Sequence, residues 1–333
     1  MVKKILHAIN KFDLSLKNKV VLTEAASGNY VVTSVIAALA GAKVVAIAKE
    51  SKYATVNEIR RQTFQLAKKF KIQGSIKIVE NEEIDLSQFD IVTNTGHVRP
   101  IDQCMVKRLK KTCVIPLMWE TWEYRKEDLD LDACMNRGIK VYGTNESDAR
   151  LRTLEYIGYT VLYLLLDRKY SPFSVNILLL GCSNFSDPII KVLIQNNYTY
   201  THLSEYDSAP PELDDFDVIV IAEHSKSDLL VGNNGFIHPE QLEPEKYVIH
   251  ICGNVQFDAL QCRTTPEHPA SFGYMSYTTD YIDNQSVVDL HTAGLKVAEG
   301  MLKANDMHLD KDRYKIYMEK NYPAMSFRKK IYW

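Results

Sequence analysis

Short apolar runs alternate with longer amphipathic stretches along the whole chain, and this alternation limits the fold more than any other feature of the sequence. A buried strand, a helical period and a second buried strand make a βαβ unit. A chain of such units satisfies its backbone as a largely parallel sheet with helices on its faces. In the first half, KVVLT (19–23), KVVAIAK (43–49), SIKIVE (75–80), FDIVTNTG (89–96) and TCVIPLMWE (112–120) read as strands. Helical spacing marks YVVTSVIAALAGA, ended by Gly41, then residues 57–70, IDQCMVKRLKK and a short helix before Gly138. Residues 147–166 are expected to form the longest amphipathic helix, and DRKYSPFS (167–174) reads as a linker.

A second series starts at Val175. VNILLLG (175–181), YTYTHLSEYD (198–207), FDVIVIAEH (216–224) and KYVIHICGN (246–254) are strand-like. DPIIKVLIQNN reads as a helix from Asp187 with Pro188 in its first turn, and a closing helix is expected from Asp280 to Met301. The fold class is therefore α/β, with two Rossmann-like or flavodoxin-like domains of parallel sheet and a cleft between them. A length of 333 residues agrees with two domains.

With 46% hydrophobic and 25% charged residues the composition is that of a globular protein, and a net charge of −2 provides no broad basic field for nucleic acid or anionic lipid. A small-molecule partner is expected instead. No apolar run reaches the ~20 residues of a membrane span, and the N-terminal stretch has no signal-type core, so the expected location is cytoplasmic. Six cysteines are scattered without metal-type spacing; they read as free buried thiols, with no metal.

The stretch from TCVIPLMWE through LDLDACMNRGIKVYGTN to the helix and strand that follow resembles the NAD-dependent D-2-hydroxyacid dehydrogenases, as does the order of elements from about Phe89 to Met301. The resemblance implies a substrate domain built from both chain ends, 1–150 plus 290–333, and a Rossmann nucleotide-binding domain over 151–289. It also implies NAD as cofactor and a homodimer, for which LEYIGYTVLYLLL is a candidate interface.

Several family positions hold other residues. Only Gly181 remains of the phosphate-binding glycines, with Ser183 and Ser186 at the other two places. Glu205 lies 24 residues after Gly181, close to the spacing at which a carboxylate meets the ribose hydroxyls, which favours NAD over NADP; an ordinary solvated strand end is the other reading. The family's arginine falls at Gly253 or Asn254, which are left as cofactor-contacting positions, and the place of its histidine holds Gly273 or Tyr274.

Hydride transfer to a keto acid needs a cation for the carboxylate and carbonyl and a proton donor. His97 and Arg99, in the loop TNTGHVRP, are the candidates, with Glu120 and His250 as further titratable groups. A surface salt bridge for Arg99 and a core position for His250 are the competing readings. Trp119 occupies the family's substrate loop. Ser27, Gly28, Asn29 and Tyr30, between a strand and a helix, form either an anion-binding turn for substrate or simply a helix cap.

Three functions follow from this set: a divergent NAD(H)-dependent oxidoreductase acting on a small hydroxy, keto or related metabolite; a non-redox biosynthetic lyase, hydrolase or transferase on the same scaffold; or a non-catalytic binding protein.

Overall fold

A computed structural model describes the chain apart from Asn81, Glu82, Thr279, residues 328–333 and the side chain of Ser183. The chain divides into two units, one formed by Met1–Leu151 together with the segment from Asn284 onward, the other by Arg152–Asp283. Both are α/β with sheets dominated by parallel strands.

In the first unit, β-branched and aliphatic runs form β1 (Val20–Glu24), β2 (Lys43–Ile47), β3 (Ile76–Val79), β4 (Ile91–Val92), β5 (Val114–Pro116) and β6 (Lys140–Thr144). They pair in parallel in the order β3-β2-β1-β4-β5-β6, and Ala324–Met325 adds an antiparallel edge to β6. Alternation along β1 sends Val21 into one apolar core, beneath α1 (Val2–Phe12), α2 (Val32–Leu39) and α3 (Val56–Lys69). Leu22 enters another, beneath α4 (Gln103–Arg108) and α5 (Leu131–Arg137). Because α2 and α4 leave adjacent strands for opposite faces, the sheet has its topological switch point between β1 and β4.

The second unit opens with α6 (Thr153–Asp167), then β7 (Asn176–Gly181), α7 (Ser183–Gln195), β8 (Thr199–Leu203) and β9 (Val218–Ala222). β10 (Leu229–Val231) pairs with β12 (Asn254–Val255) as a separate ribbon, while β11 (Tyr247–Cys252) and β13 (Arg263–Thr265) complete the main sheet. Its order, β8-β7-β9-β11-β13, is the flavodoxin-like 2-1-3-4-5, with the switch point between β7 and β9. Helices α6 and α7 pack closely: a Cβ on Gly158 would lie 2.3 Å from the Pro188 carbonyl oxygen.

Chain boundaries depart from the sequence expectation in three places. Residues 147–152 are not helical, because Asp148 turns back to accept the amide and guanidinium of Arg150, so the helix begins at Thr153. The longest helix is instead α8 (Gln285–Asp306), whose buried Asp289 and Glu299 are neutralised by Lys11 and Lys296; α9 (Lys311–Asn321), unforeseen, packs on it. Helix α7 starts four residues before Asp187 and runs through Pro188.

Among the described residues no disulfide forms; Cys113, Cys134, Cys252 and Cys262 are buried, but Cys104 is exposed, which corrects the expectation that all the thiols are buried. No helix among the described residues is long and apolar enough to cross a membrane.

Candidate functional site

The carboxyl ends of β1 and β4 carry a group of buried polar residues at the switch point of the first unit, where doubly wound sheets bind ligands. Glu24, the last residue of β1, is 7% exposed. Its Oε2 accepts the His97 amide at 3.2 Å and would touch a Cβ on Gly96 at 3.3 Å. Burial raises the Glu24 pKa, opposed by the amides of His97 and Gly96 and by the charges of His97 and Arg99.

His97 follows β4. Its Nδ1 lies 2.9 Å from the Ala25 carbonyl, an acceptor only, and 3.4 Å from the Lys49 amide, a donor. These two contacts hold the ring against the ends of β1 and β2.

Arg99 stacks on the Trp119 ring with its Cζ 4.3 Å from the centroid. Its Nε and Nη2 donate to the side chain and carbonyl of Asn94 at 3.1 and 3.0 Å, and Nη1 donates to Asp128 at 2.9 Å. These bonds fix the guanidinium plane and use three of its five donors. The Trp119 indole nitrogen is buried and meets no partner among the described residues.

Glu120 turns inward: Oε1 accepts the Glu146 amide and Oε2 the Trp122 indole, both at 3.1 Å, which makes it an anchor of the loop after β5. Its neighbour Glu123, overlooked in the sequence, is pushed up to about 7 by burial and by Glu120, against Arg125 and Arg99. Glu24 was equally unmarked; its signal was a carboxylate closing an apolar strand.

The turn after β1 is occupied by the protein itself. Gly28, at φ 62°, donates its amide to Gln62 Oε1 at 2.8 Å, and Ser27 makes no side-chain cap. Asn29 Oδ1 accepts from Asn284 at 3.2 Å, and Tyr30 stands edge-on to His291 with centroids 5.7 Å apart.

In the second unit β7 runs into α7 with only Cys182 between them. A Cβ on Gly181 would lie 2.5 Å from the Ala222 carbonyl oxygen and 2.8 Å from Ser186 Oγ, so this position requires glycine for close packing of strand and helix. Ser186 is fully buried in that contact, and its hydroxyl meets no hydrogen-bond partner among the described residues. Ser183 begins the helix, its side chain outside the described residues.

Gly253 has φ 143° and Asn254 donates to the Ser227 carbonyl at 2.9 Å. His250 lies fully in the core: Nε2 meets the Gly253 carbonyl at 3.2 Å and Nδ1 the Ser276 hydroxyl at 2.7 Å, and burial lowers its pKa to about 4. A neutral, enclosed imidazole with both nitrogens bonded is a core histidine and no proton donor. Glu205, mostly exposed after β8, forms an ion pair with Lys226.

No family model matches the sequence, and no curated protein matches it. Solved structures do match. A dipicolinate synthase structure from Bacillus halodurans is 11% identical, with 87% of this chain and 98% of that chain covered and a TM-score of 0.55. Dipicolinate synthase from Bacillus subtilis is 11% identical, with 89% and 98% covered and a TM-score of 0.50. NAD-dependent formate dehydrogenase from Staphylococcus aureus, in complex with NAD, is 14% identical, with 81% and 96% covered and a TM-score of 0.50. What they share with this chain is the fold.

Proposed function

We propose that this chain is an NAD(H)-dependent oxidoreductase acting on a small hydroxy, keto or related metabolite, with the nucleotide on the second unit and the substrate on the first. The observation that carries the proposal is the junction at Gly181. The first strand of a 2-1-3-4-5 parallel sheet ends at a residue with no room for a Cβ and passes straight into the N-terminus of a 13-residue helix. The first amides of such a helix have no intrahelical partner and suit a pyrophosphate, while Glu205 stands where ribose hydroxyls are met. The residues present therefore fit a dinucleotide.

A bound nicotinamide supplies or accepts the hydride. On the first unit His97 gives or takes the proton, and Glu24, which accepts the His97 backbone amide, fixes the loop that carries the ring. Arg99, its plane held by Asn94 and Asp128, keeps two N–H donors for a substrate carboxylate or carbonyl oxygen.

The test is equilibrium titration with NADH, read by nicotinamide fluorescence and by thermal stability, which a specific ligand raises by mass action. Saturable NADH binding that survives His97→Ala, with NADH oxidation by keto substrates lost in that variant, is the expected result. Absence of binding would refute the redox reading. It would leave the second one, a non-redox reaction on the first unit, favoured by the Glu24–His97 arrangement at that unit's own switch point.

A further inference from the structure

The loop after β4 brings one carboxylate and one guanidinium to the same end of the first sheet. Glu24 is 7% exposed and accepts the His97 amide through Oε2. Among the described residues its Oε1 has no hydrogen bond and the carboxylate has no ion pair. Arg99 stands two residues after His97, with its own ion pair spent on Asp128. Two residues of backbone span at most about 7 Å, so one small ligand can reach both groups. Each feels the charge of the other. Burial nevertheless raises the Glu24 pKa against the charges of His97 and Arg99, so a further cation placed beside this carboxylate is favourable.

We propose that the substrate is a 2-amino acid, its ammonium held by Glu24 Oε1 and its carboxylate by Arg99, and that the reaction is oxidative deamination and its reverse. This gives a substrate class to the NAD(H)-dependent reading and rests on it. Charge and donor count both favour the amine. A 2-keto acid offers only acceptors, which an ionised carboxylate cannot meet, and a 2-hydroxy acid brings one neutral donor. An ammonium brings three donors and the opposite charge, while Arg99 answers the carboxylate on the same carbon. In the oxidative direction the ammonium first gives one proton to His97. The Cα–H bond then breaks, its electron pair leaving as hydride for NAD+, and a C=N bond forms. Water adds to that bond and ammonia departs, taking up a proton, so that the amino acid is oxidised to the keto acid and NAD+ is reduced.

The test follows NAD+ reduction on the full chain with amino and hydroxy acids of matched skeleton. The pairs are alanine and lactate, aspartate and malate, glutamate and 2-hydroxyglutarate, and phenylalanine and phenyllactate, each as both enantiomers. At least one amino acid should be oxidised with kcat/KM about tenfold or more above that of its hydroxy partner. Glu24→Gln keeps an oxygen for the His97 amide and loses the charge. With folding checked by circular dichroism, the amino-to-hydroxy ratio of kcat/KM should fall about thirtyfold, as for a buried charge pair deprived of one partner. Glu24→Asp, which keeps the charge, should keep the preference; a purely structural role for Glu24 would lower both activities alike. Preference of the wild type for hydroxy acids, reduction of NAD+ by neither class, or an unchanged ratio in Glu24→Gln would overturn the amino-acid substrate, while the dinucleotide site would still stand on NADH binding. Absence of NADH binding would overturn the redox reading itself, and the substrate class with it.

Discussion

Acid should destabilise the second unit through one imidazole. His250 sits in a chain of hydrogen bonds with a defined direction: the Ala270 amide donates to Ser276 Oγ at 2.8 Å, the Ser276 hydroxyl donates to Nδ1, and Nε2–H donates to the Gly253 carbonyl. Protonating Nδ1 leaves the serine hydroxyl facing a donor and puts a charge in an apolar core, consistent with a pKa lowered from 6.5 to about 4. Between these two values the unfolded chain takes up a proton that the folded one refuses, so stability falls as pH falls through that window. The gap corresponds to roughly 3 kcal/mol when fully expressed and to roughly 2 kcal/mol by pH 5. Urea unfolding at pH 7.5 and pH 5.0, followed by far-UV circular dichroism on wild type and His250→Asn, measures it. The variant should be less stable at pH 7.5, yet lose ~2 kcal/mol less than the wild type on acidification, because other titrating groups cancel in the comparison. Equal losses in both proteins would refute the argument.

Two further outcomes follow from the same geometry. Gly181→Ala should lower the stability of the chain by ~1–3 kcal/mol in urea unfolding, because the Ala222 carbonyl at 2.5 Å is backbone and cannot turn away; a neutral substitution would mean that β7 and β9 shift apart more easily than their packing implies. Glu123 is pushed up to about 7, so in the folded state its ionisation costs stability as pH rises through that value. Glu123→Gln should therefore stabilise the protein at pH 8.5 by ~1 kcal/mol or more, with the gain fading below pH 5, as read from denaturation midpoints at both pH values.

The alternation of apolar runs made the strands legible because strand burial is a property of a few adjacent residues. KVVAIAK, VNILLLG, FDVIVIAEH and KYVIHICGN each contain a strand of the structure, and KVVLT covers all of β1 but Glu24. Helix ends were less legible. Pro188 reads as a first-turn residue by its chemistry, but the close seat of α6 against α7 at Gly158 favours a helix that continues through it. Arg150, which looked helical, belongs to a turn because Asp148 captures its amide and guanidinium.

The site divides along the same line. Gly181, Glu205 and His97 were proposed from residue type and position relative to a strand, both of which are written locally, and each does follow or end a strand of the structure. His250 and Ser186 looked like functional residues and lie in the core, His250 with both ring nitrogens bonded and Ser186 in the close contact of α7 with Gly181. Glu24 with His97, and Lys226 with Glu205, show the converse: neither pair is close in sequence, and each meets only because the sheet brings the carboxyl ends of its strands together. The sequence by itself determined that this chain forms parallel α/β units and where their strands lie, since burial and hydrogen-bond periodicity are short-range. The order of strands, and hence which charged groups share a crevice, was decided by the tertiary structure, where packing of helices on opposite faces sets the switch points.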